Sequence, residues 1–344
     1  MKSARPIKAL HILDSFGMGG AETWLMEMLR FWSTTGAVRT DFLLTSGNRG
    51  LFDDEARRLG AKLHYVRFGR ARVVQFTKEF RRILREGQYD AIHDHANYAS
   101  GWHFLLGLGA LPPVRVIHIH NSWSLMEAHY AVTSSRRLAS AAGKCLVHHL
   151  ATHVCGTSAE ILIEYGFDLG RDDRPVAAVL YCGFDVGNFN KPRETDRQSV
   201  LGEFAWPRDA NVVLVVGRLD RTLVLRHPQN QKNSWLALNI ARVALVKNPA
   251  VRLLMAGAGD ETRTEMERRV HEWGLHEKLR LIGVRKDISR LMRAADVLLF
   301  PSAQEGLGMV AVEAQAACLP VLASTAVPRE AVVVAQLYDA LSLD

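Results

Sequence analysis

Hydrophobic and polar positions in the first half of the chain follow the pattern of a parallel sheet covered by helices. Short β-branched runs alternate with segments whose apolar residues recur at helical spacing. The predicted strands are residues 9–13, 41–45, 62–66, 91–93, 115–120, 153–155 and 176–181. The predicted helices are residues 21–34, 53–59, 73–86, 99–108, 136–150 and 158–165.

The periodicity fades over residues 186–209, where glycine, asparagine, proline and charged residues predict a linker. A second alternating set of strands and helices follows. A chain of 344 residues also suits two domains better than one. We therefore expect two Rossmann-like doubly wound α/β domains facing across a cleft, an N-terminal domain 1–185 and a C-terminal domain 210–344.

Composition narrows the class of protein. With 48% hydrophobic and 23% charged residues, the chain is typical of a globular protein, and no apolar stretch is long enough to span a bilayer. Four cysteines without a Cys-x-x-Cys pair predict buried, reduced thiols. The N-terminal residues lack the small-residue cleavage site of a signal peptide, so we expect a cytoplasmic location. The net charge of +7 indicates an anionic partner. Nucleic acid is disfavoured because aromatic and basic residues form no recognition motif.

A glycine-rich turn follows the first predicted strand. The closely spaced Gly17, Gly19 and Gly20 let the backbone approach a ligand, and the next helix presents free N–H groups to an anion. A tight strand-to-helix turn has the same appearance. Nicotinamide binding is disfavoured because Glu22 stands where the dinucleotide fingerprint needs a third glycine.

Histidines gather at the ends of two predicted strands. His93 and His95 share one face of their strand, as do His118 and His120, because side chains alternate along a strand. Such a group suits a metal site or substrate hydrogen bonding, and satisfied core histidines are an equally good interpretation.

Glu305 and Glu313 flank an apolar segment that follows a strand and opens a helix. On one helix these carboxylates would lie about 12 Å apart along the axis, too far for a glycoside hydrolase pair, which needs roughly 5 to 9 Å. They suit two hydroxyl-bearing parts of an extended ligand, such as the sugar and ribose of a sugar nucleotide. Gly306 and Gly308 would let backbone amides reach the diphosphate between them.

The ordered set of motifs resembles the family 4 glycosyltransferases of the GT-B fold, closest to the branch that builds bacterial exopolysaccharide and capsule. The resemblance covers nearly the whole chain. It rests on the paired histidines and on these motifs: Gly-Gly-Ala-Glu22, Tyr181-Cys-Gly183-Phe-Asp185, Gly217-Arg218-Leu219, Lys232-Asn233, Gly257-Ala-Gly259 and Pro301-Ser302-x-x-Glu305-Gly306-Leu-Gly308 through Glu313-Ala314.

The resemblance implies a hexosyltransferase that moves a sugar from a nucleotide diphosphate donor, with retention, to a glycan or lipid-linked acceptor in surface polysaccharide synthesis. The implied catalytic residues are His120, His118, Glu305, Arg218 and Lys232. The implied donor-binding residues are Gly19, Gly20, Arg218, Lys232, Glu305, Gly306, Leu307, Gly308, Met309 and Glu313. Neither an Asp-x-Asp pair nor the family calls for a metal, so we expect no metal and no cofactor besides the donor.

Three departures from the family pattern stand out. Residues 219–231 form a longer segment than relatives have, and Cys318 stands where a glycine commonly ends the helix. The chain also ends without the usual terminal helices of the C-terminal domain. A weakly active or inactive sugar-nucleotide-binding protein, acting as a scaffold of a polysaccharide assembly complex, is therefore the alternative function.

Residues 67–85 carry seven basic residues against one acidic residue, Glu79. Apolar residues at helical spacing predict an amphipathic helix with a cationic flank. Its basic side can be merely solvated, or it can contact an anionic membrane surface reversibly. The second interpretation places the protein peripherally on the inner face of the cytoplasmic membrane.

Overall fold

The computed structural model describes residues 5–17, 19–130, 133–170 and 175–343. It divides into two compact units, Met1–Phe184 and Asp185–Asp344. Each unit is a parallel sheet with helices, as the hydrophobic pattern predicts.

The first unit contains seven parallel strands in the order β3-β2-β1-β4-β5-β6-β7. The strands are β1 (Ile7–Leu13), β2 (Val38–Leu44), β3 (Leu63–Tyr65), β4 (Ala91–Asp94), β5 (Val114–Ile119), β6 (His153–Gly156) and β7 (Val176–Val179). The helices are α1 (Gly20–Thr35), α2 (Asp53–Arg58), α3 (Val73–Gly87), α4 (Ala99–Gly107), α5 (Trp123–Tyr130), α6 (Ser134–Leu150) and α7 (Ala159–Glu164), with a 3-10 turn at Arg70–Arg72.

The core of the first unit lies between the sheet and its helices. Phe76, Phe80, Ile83 and Leu84 of α3 are buried in it, since their spacing places them on one side of the helix. The opposite side of α3 carries the basic residues that the sequence pattern indicated.

The second unit contains six parallel strands in the order β10-β9-β8-β11-β12-β13. The strands are β8 (Asn211–Val216), β9 (Val251–Ala256), β10 (Leu279–Gly283), β11 (Val297–Phe300), β12 (Val321–Ser324) and β13 (Tyr338–Leu341). The helices are α8 (Arg193–Glu203), α9 (Ser234–Lys247), α10 (Asp260–Glu272), α11 (Ile288–Ala294) and α12 (Met309–Ala316), with 3-10 turns at Val186–Asn188, Arg329–Ala331 and Ala335–Leu337.

Both sheets share one connectivity. The first three strands of each unit are added successively towards one edge of the sheet, and the remaining strands are added towards the other edge. The order reverses between β1 and β4 in the first unit and between β8 and β11 in the second. In open α/β sheets, ligands bind beyond the carboxyl ends of the strands at such a reversal. The fold therefore directs attention to the residues that follow these four strands.

Residues 186–209, which the sequence pattern predicts to be a linker, belong to the second unit. They contain α8, whose Asp196 accepts a hydrogen bond from the buried Arg293 of α11 at 2.5 Å. Arg197 of α8 also donates to both carboxylate oxygens of Asp296, at 3.2 and 3.0 Å. These ionic contacts escape a search for hydrophobic periodicity because α8 is mostly polar.

The expectation of four buried thiols is wrong for two of the cysteines. All four are free, but Cys145 and Cys318 are exposed, whereas Cys182 is buried. Cys318 follows α12 with φ of 56°, the left-handed conformation that glycine usually adopts after a helix. Its exposure follows from this position at the end of the helix.

Candidate functional site

The first group of candidate residues is a cluster of five histidines on β1, β4 and β5 and directly after β4 and β5. Register explains the cluster: His11 pairs with His93 across β1 and β4, and His93 pairs with Val116 of β5. The side chain two residues after Val116, His118, therefore comes level with His95. The sequence predicted the histidine pairs on β4 and β5. The membership of His11 in the cluster could be recognised only once the strand order placed β1 beside β4.

Three imidazoles of this cluster form a hydrogen-bonded chain. His11 Nδ1 lies 3.0 Å from His95 Nε2, and His95 Nδ1 lies 3.0 Å from His120 Nε2. Burial lowers the pKa of His11 to about 3 and the pKa of His95 and His120 well below the usual value. These rings are therefore neutral at physiological pH, and each can offer one N–H and one lone pair.

His118 differs from the others because neither ring nitrogen makes a hydrogen bond of normal geometry among the described residues, although the side chain is fully buried. Its ring stacks on His93 at 5.4 Å and meets the edge of Trp24 at 5.2 Å. Burial lowers the pKa of His118 to about 4, against a smaller opposite effect of a weak hydrogen bond with the Leu180 backbone. A buried ring with so few polar contacts can take a further ligand.

The second group of candidate residues surrounds an ion pair of the second unit. Lys232 Nζ contacts the carboxylate of Glu305, which lies in the loop after β11. The Glu305 side chain is 7% exposed and Lys232 is 21% exposed. Lys232 also lies 5.4 Å from the ring centroid of Phe300. The pair is thus held at the reversal of strand order, with access to solvent from the lysine side.

Backbone contacts allow the segments around this ion pair to approach closely. A Cβ atom at Gly257 would lie 1.8 Å from the carbonyl oxygen of Gly217, so this approach requires glycine. Arg218 follows Gly217, is exposed, and donates to Gln231 Oε1 at 3.3 Å. Gln231 in turn donates to the Gln304 carbonyl at 3.2 Å. Arg218, Lys232 and Glu305 are therefore brought together as expected.

The longer segment 219–231 is closed by Asn230, whose amide donates to the carbonyl oxygens of Thr222 and Val224, both at 2.9 Å. Arg226 within it has φ of 59° and donates to the Leu343 carbonyl at 3.0 Å. The Arg226 side chain is thus hydrogen-bonded to the C-terminal segment. Arg221 is exposed.

Glu305 lies in the loop before α12, so Glu305 and Glu313 do not share one helix. Gly308, with φ of 87°, is the N-cap residue, so α12 begins at Met309. Gly306, Leu307 and Gly308 are buried, and no side chain caps the helix start within the described residues. The estimate of 12 Å between two carboxylates on one helix therefore does not apply, but backbone N–H groups do point out beside Glu305.

Glu313 lies one turn into α12 in an apolar environment. Burial raises the pKa of this carboxyl to about 7. No hydrogen bond or ion pair engages the Glu313 side chain among the described residues, although the residue retains some solvent exposure. A carboxyl in this state can accept hydrogen bonds from a ligand that reaches its exposed part.

The glycine-rich turn of the first unit precedes α1. Gly19 is the N-cap residue, and the carboxylate of Glu22 lies over it. Gly20 has open space where a side chain would project. The geometry leaves room for a ligand at Gly20, and the predicted role of Gly19 and Gly20 at the donor phosphates stays a prediction.

The fold and these two groups define a glycosyltransferase of the GT-B architecture. The solved structure of HepE from Anabaena, in complex with UDP and glucose, matches this chain with a TM-score of 0.75 at 21% identity. The match covers 98% of this chain and 86% of HepE. WaaG, a glycosyltransferase involved in lipopolysaccharide biosynthesis, is matched with a TM-score of 0.73 at 18% identity, over 97% and 86%.

Residues 18–187 match the family model described as Glycosyltransferase Family 4, and residues 210–338 match Glycosyl transferases group 1. The glycosyltransferase EpsF of Bacillus subtilis is 29% identical over 328 residues, 93% of this chain and 79% of the relative. The capsular polysaccharide biosynthesis glycosyltransferase CapH of Staphylococcus aureus is 23% identical over 316 residues, 90% and 78%. The chain belongs to the family 4 glycosyltransferases, and the expected fold class and family are confirmed.

Proposed function

We propose that the protein transfers a hexose from a nucleoside diphosphate sugar, with retention at the anomeric carbon, to a glycan or lipid-linked acceptor in surface polysaccharide synthesis. The observation that carries this proposal is the pairing of Lys232 with Glu305 in the loop before α12, together with the buried carboxyl of Glu313 within α12. EpsF supports the glycosyltransferase activity, CapH supports the pathway, and HepE, solved with UDP-glucose, supports the donor class.

The second unit binds the donor in this proposal. Glu313 accepts hydrogen bonds from the ribose hydroxyls, and Glu305 accepts them from the sugar. The backbone at Gly306, Leu307, Gly308 and Met309 donates to the diphosphate. The apolar surroundings of Glu313 strengthen such hydrogen bonds, because water competes poorly there.

Arg218 and Lys232 supply the electrostatic contribution. When the bond from the anomeric carbon to the diphosphate oxygen breaks, its electron pair leaves with the diphosphate. Two fixed cations lower the barrier by offsetting the charge that develops there. Glu305 positions Lys232 before the donor arrives, so less rearrangement is needed during the reaction.

The first unit supplies the acceptor side. His120 and His118 face the acceptor as neutral imidazoles, because burial keeps their pKa low. A neutral ring can accept a hydrogen bond from the incoming hydroxyl. Gly19 and Gly20 approach the donor phosphates with their backbone.

The phosphate charge in this proposal is balanced by Arg218, Lys232 and helix N–H groups, so transfer needs no metal ion. Purified protein incubated with a panel of nucleoside diphosphate sugars, with UDP-glucose as the reference, should release nucleoside diphosphate at an undiminished rate in EDTA. NMR of the product should show the anomeric configuration of the donor. Loss of turnover in chelator, restored by Mg²⁺ or Mn²⁺, would contradict metal independence.

Binding of UDP-glucose without turnover on any acceptor would instead favour the alternative function, a sugar-nucleotide-binding scaffold. Absence of both binding and turnover across the panel would overturn the proposal itself. A product with the inverted anomeric configuration would contradict retention but would not contradict the proposed donor site.

We also propose that the protein contacts the anionic inner face of the cytoplasmic membrane reversibly. None of the described helices combines the length and apolarity that a membrane span requires. Val74, at the start of α3, is 85% exposed beside the exposed Arg70, Arg72 and Lys78. Cations around a protruding apolar residue suit an interface with acidic lipid headgroups, where a lipid-linked acceptor would lie.

A further inference from the structure

The histidine cluster contains five imidazoles, of which the proposed sugar transfer uses two, His118 and His120. Among the described residues, two groups of three could each hold a metal ion: His11, His93 and His95, and His95, His118 and His120. Within each group, one ligand atom per residue lies within 4.8 Å of the others. A set made only of imidazole nitrogens suits zinc, copper or nickel rather than magnesium or calcium.

The spacing of His95, His118 and His120 needs little change to accept an ion. Zinc–nitrogen bonds of about 2.0 to 2.1 Å place tetrahedral ligand nitrogens roughly 3.4 Å apart. His95 Nδ1 and His120 Nε2 are already 3.0 Å apart.

His118 distinguishes this group from the other. Neither of its ring nitrogens makes a hydrogen bond of normal geometry among the described residues, whereas His93 has only Nε2 in that state. The Leu180 backbone is a weak partner of the His118 ring. At least one His118 nitrogen is therefore left to bind an ion at this position.

Outer contacts orient the ring of His95 and hold the backbone at His120. If His95 binds through Nδ1, its Nε2–H donates to His11 Nδ1 at 3.0 Å, the kind of partner that metal-bound histidines usually have. Asn97 Oδ1 accepts from the backbone N–H groups of His120 and Asn121, at 2.8 and 3.2 Å, and so fixes the end of β5.

We propose that His95, His118 and His120 bind one first-row transition metal ion of the imidazole-preferring group, with a fourth position open to solvent or an anion. The proposed sugar transfer needs no metal. The ion takes the lone pair of His120, and therefore competes with the acceptor contact proposed for this ring.

The test is metal binding by the full-length, tag-free protein. Chelator-treated protein is dialysed against Zn²⁺ and analysed for bound metal, and Co²⁺ is used as a probe because tetrahedral Co²⁺ absorbs strongly in the visible range. We expect one ion per chain. His118→Phe keeps the ring contacts with Trp24 and His93 but removes both nitrogens, and should weaken binding by about 100-fold or more.

His93→Phe is the matched control, because it changes the neighbouring ring of the same stack, and should retain the ion. His120→Asn provides a second loss-of-ligand variant should His118→Phe fail to fold. No ion in the unaltered protein, or equal binding by His118→Phe, would overturn the site. If His93→Phe lost the ion and His118→Phe retained it, the ion would be bound by His11, His93 and His95, and the assignment would be contradicted. Sugar transfer is not the readout, so failure here leaves the proposed function untouched.

Discussion

Glu305 and Glu313 are eight residues apart, yet their surroundings differ completely. Glu305 is paired with Lys232, whereas Glu313 has no partner among the described residues and its burial raises its pKa to about 7. A carboxylate paired with a lysine orients that cation. An unpaired, buried carboxyl titrates near neutral pH and can accept hydrogen bonds from a ligand. The two residues should therefore respond differently to substitution and to pH.

Glu305→Gln should lower kcat about 100-fold, with a smaller change in donor KM. The substitution keeps the shape but removes the charge that orients Lys232 and contacts the sugar in the transition state. Steady-state kinetics with UDP-glucose measures the split. Glu277→Gln, which alters an exposed glutamate paired with Arg280 in the same unit, is the control and should leave both parameters unchanged. Unaltered turnover in Glu305→Gln would refute the assigned role.

The affinity for UDP-glucose should rise with pH up to about 7 and then level off. Hydroxyl donors favour the ionised carboxylate, so the pKa of Glu313 should be lower in the complex than the value of about 7 in the free protein. Protonation below pH 7 therefore opposes binding, and binding near neutral pH releases a proton. Calorimetry in buffers of different ionisation enthalpy measures that release.

Glu313→Gln should bind more weakly above pH 7 and lose this pH dependence. A pH profile identical to that of the unaltered protein would show that another group titrates.

At the scale of elements, the ionic contacts between α8 and α11 stabilise the second unit. Arg293 is 6% exposed, contacts Asp196, and donates to the Asn188 carbonyl. Arg293→Met should lower the free energy of unfolding of this unit by about 2 to 3 kcal/mol, because Asp196 and the carbonyl lose their donor. Denaturant unfolding measures the change.

Arg268→Met is the control for this prediction, since Arg268 makes only surface ion pairs with Glu265 and Glu272 and should matter little. Asp196→Ala combined with Arg293→Met should recover part of the loss, because no unpaired buried charge remains. An additive double variant would argue against a specific pair.

Elements with strong hydrophobic patterning could be predicted from the sequence, and those held by polar contacts could not. The strands of the first sheet alternate or are uniformly apolar, so their predicted positions agree closely with the structure. Helix α8 is polar and is held by Arg293 and Arg290 of α11. The left-handed conformation of Gly308, which directly precedes α12, is not revealed by the sequence alone.

The candidate site was partly predictable for a related reason. His118 and His120 follow from alternation along one strand. The contact between His11 and His95 depends on β1 lying beside β4, which is a property of the strand order. Long-range order of this kind is set by packing of the whole sheet, and no short motif carries it.

At the scale of the whole molecule, the surplus of positive charge should make membrane binding depend on lipid charge and salt. The protein should sediment with anionic liposomes at low salt and little with neutral ones. Arg72→Glu with Lys78→Glu should reduce binding at least about 10-fold, at roughly 1 kcal/mol for each residue. Arg81 is left unaltered because it donates to the Leu106 carbonyl at 2.8 Å.

Arg208→Glu with Lys247→Glu, two exposed cations of the second unit, gives the same net charge and serves as the control. This variant should bind nearly as well as the unaltered protein. Equal loss in both variants would mean that binding follows net charge rather than this surface. Equal binding to neutral and anionic liposomes would remove the proposal.

The boundary between the two units, at Phe184 and Asp185, determines where related chains can be joined to make a hybrid protein. A hybrid joined at residue 210 would take α11 and Asp296 from one parent and α8 from another, and would separate Arg197 and Asp196 from the partners with which they pair. A hybrid joined at residue 185 inherits α8 together with those partners. Recombination between relatives should therefore succeed at the earlier junction, and a gene fragment meant to carry donor specificity has to begin there.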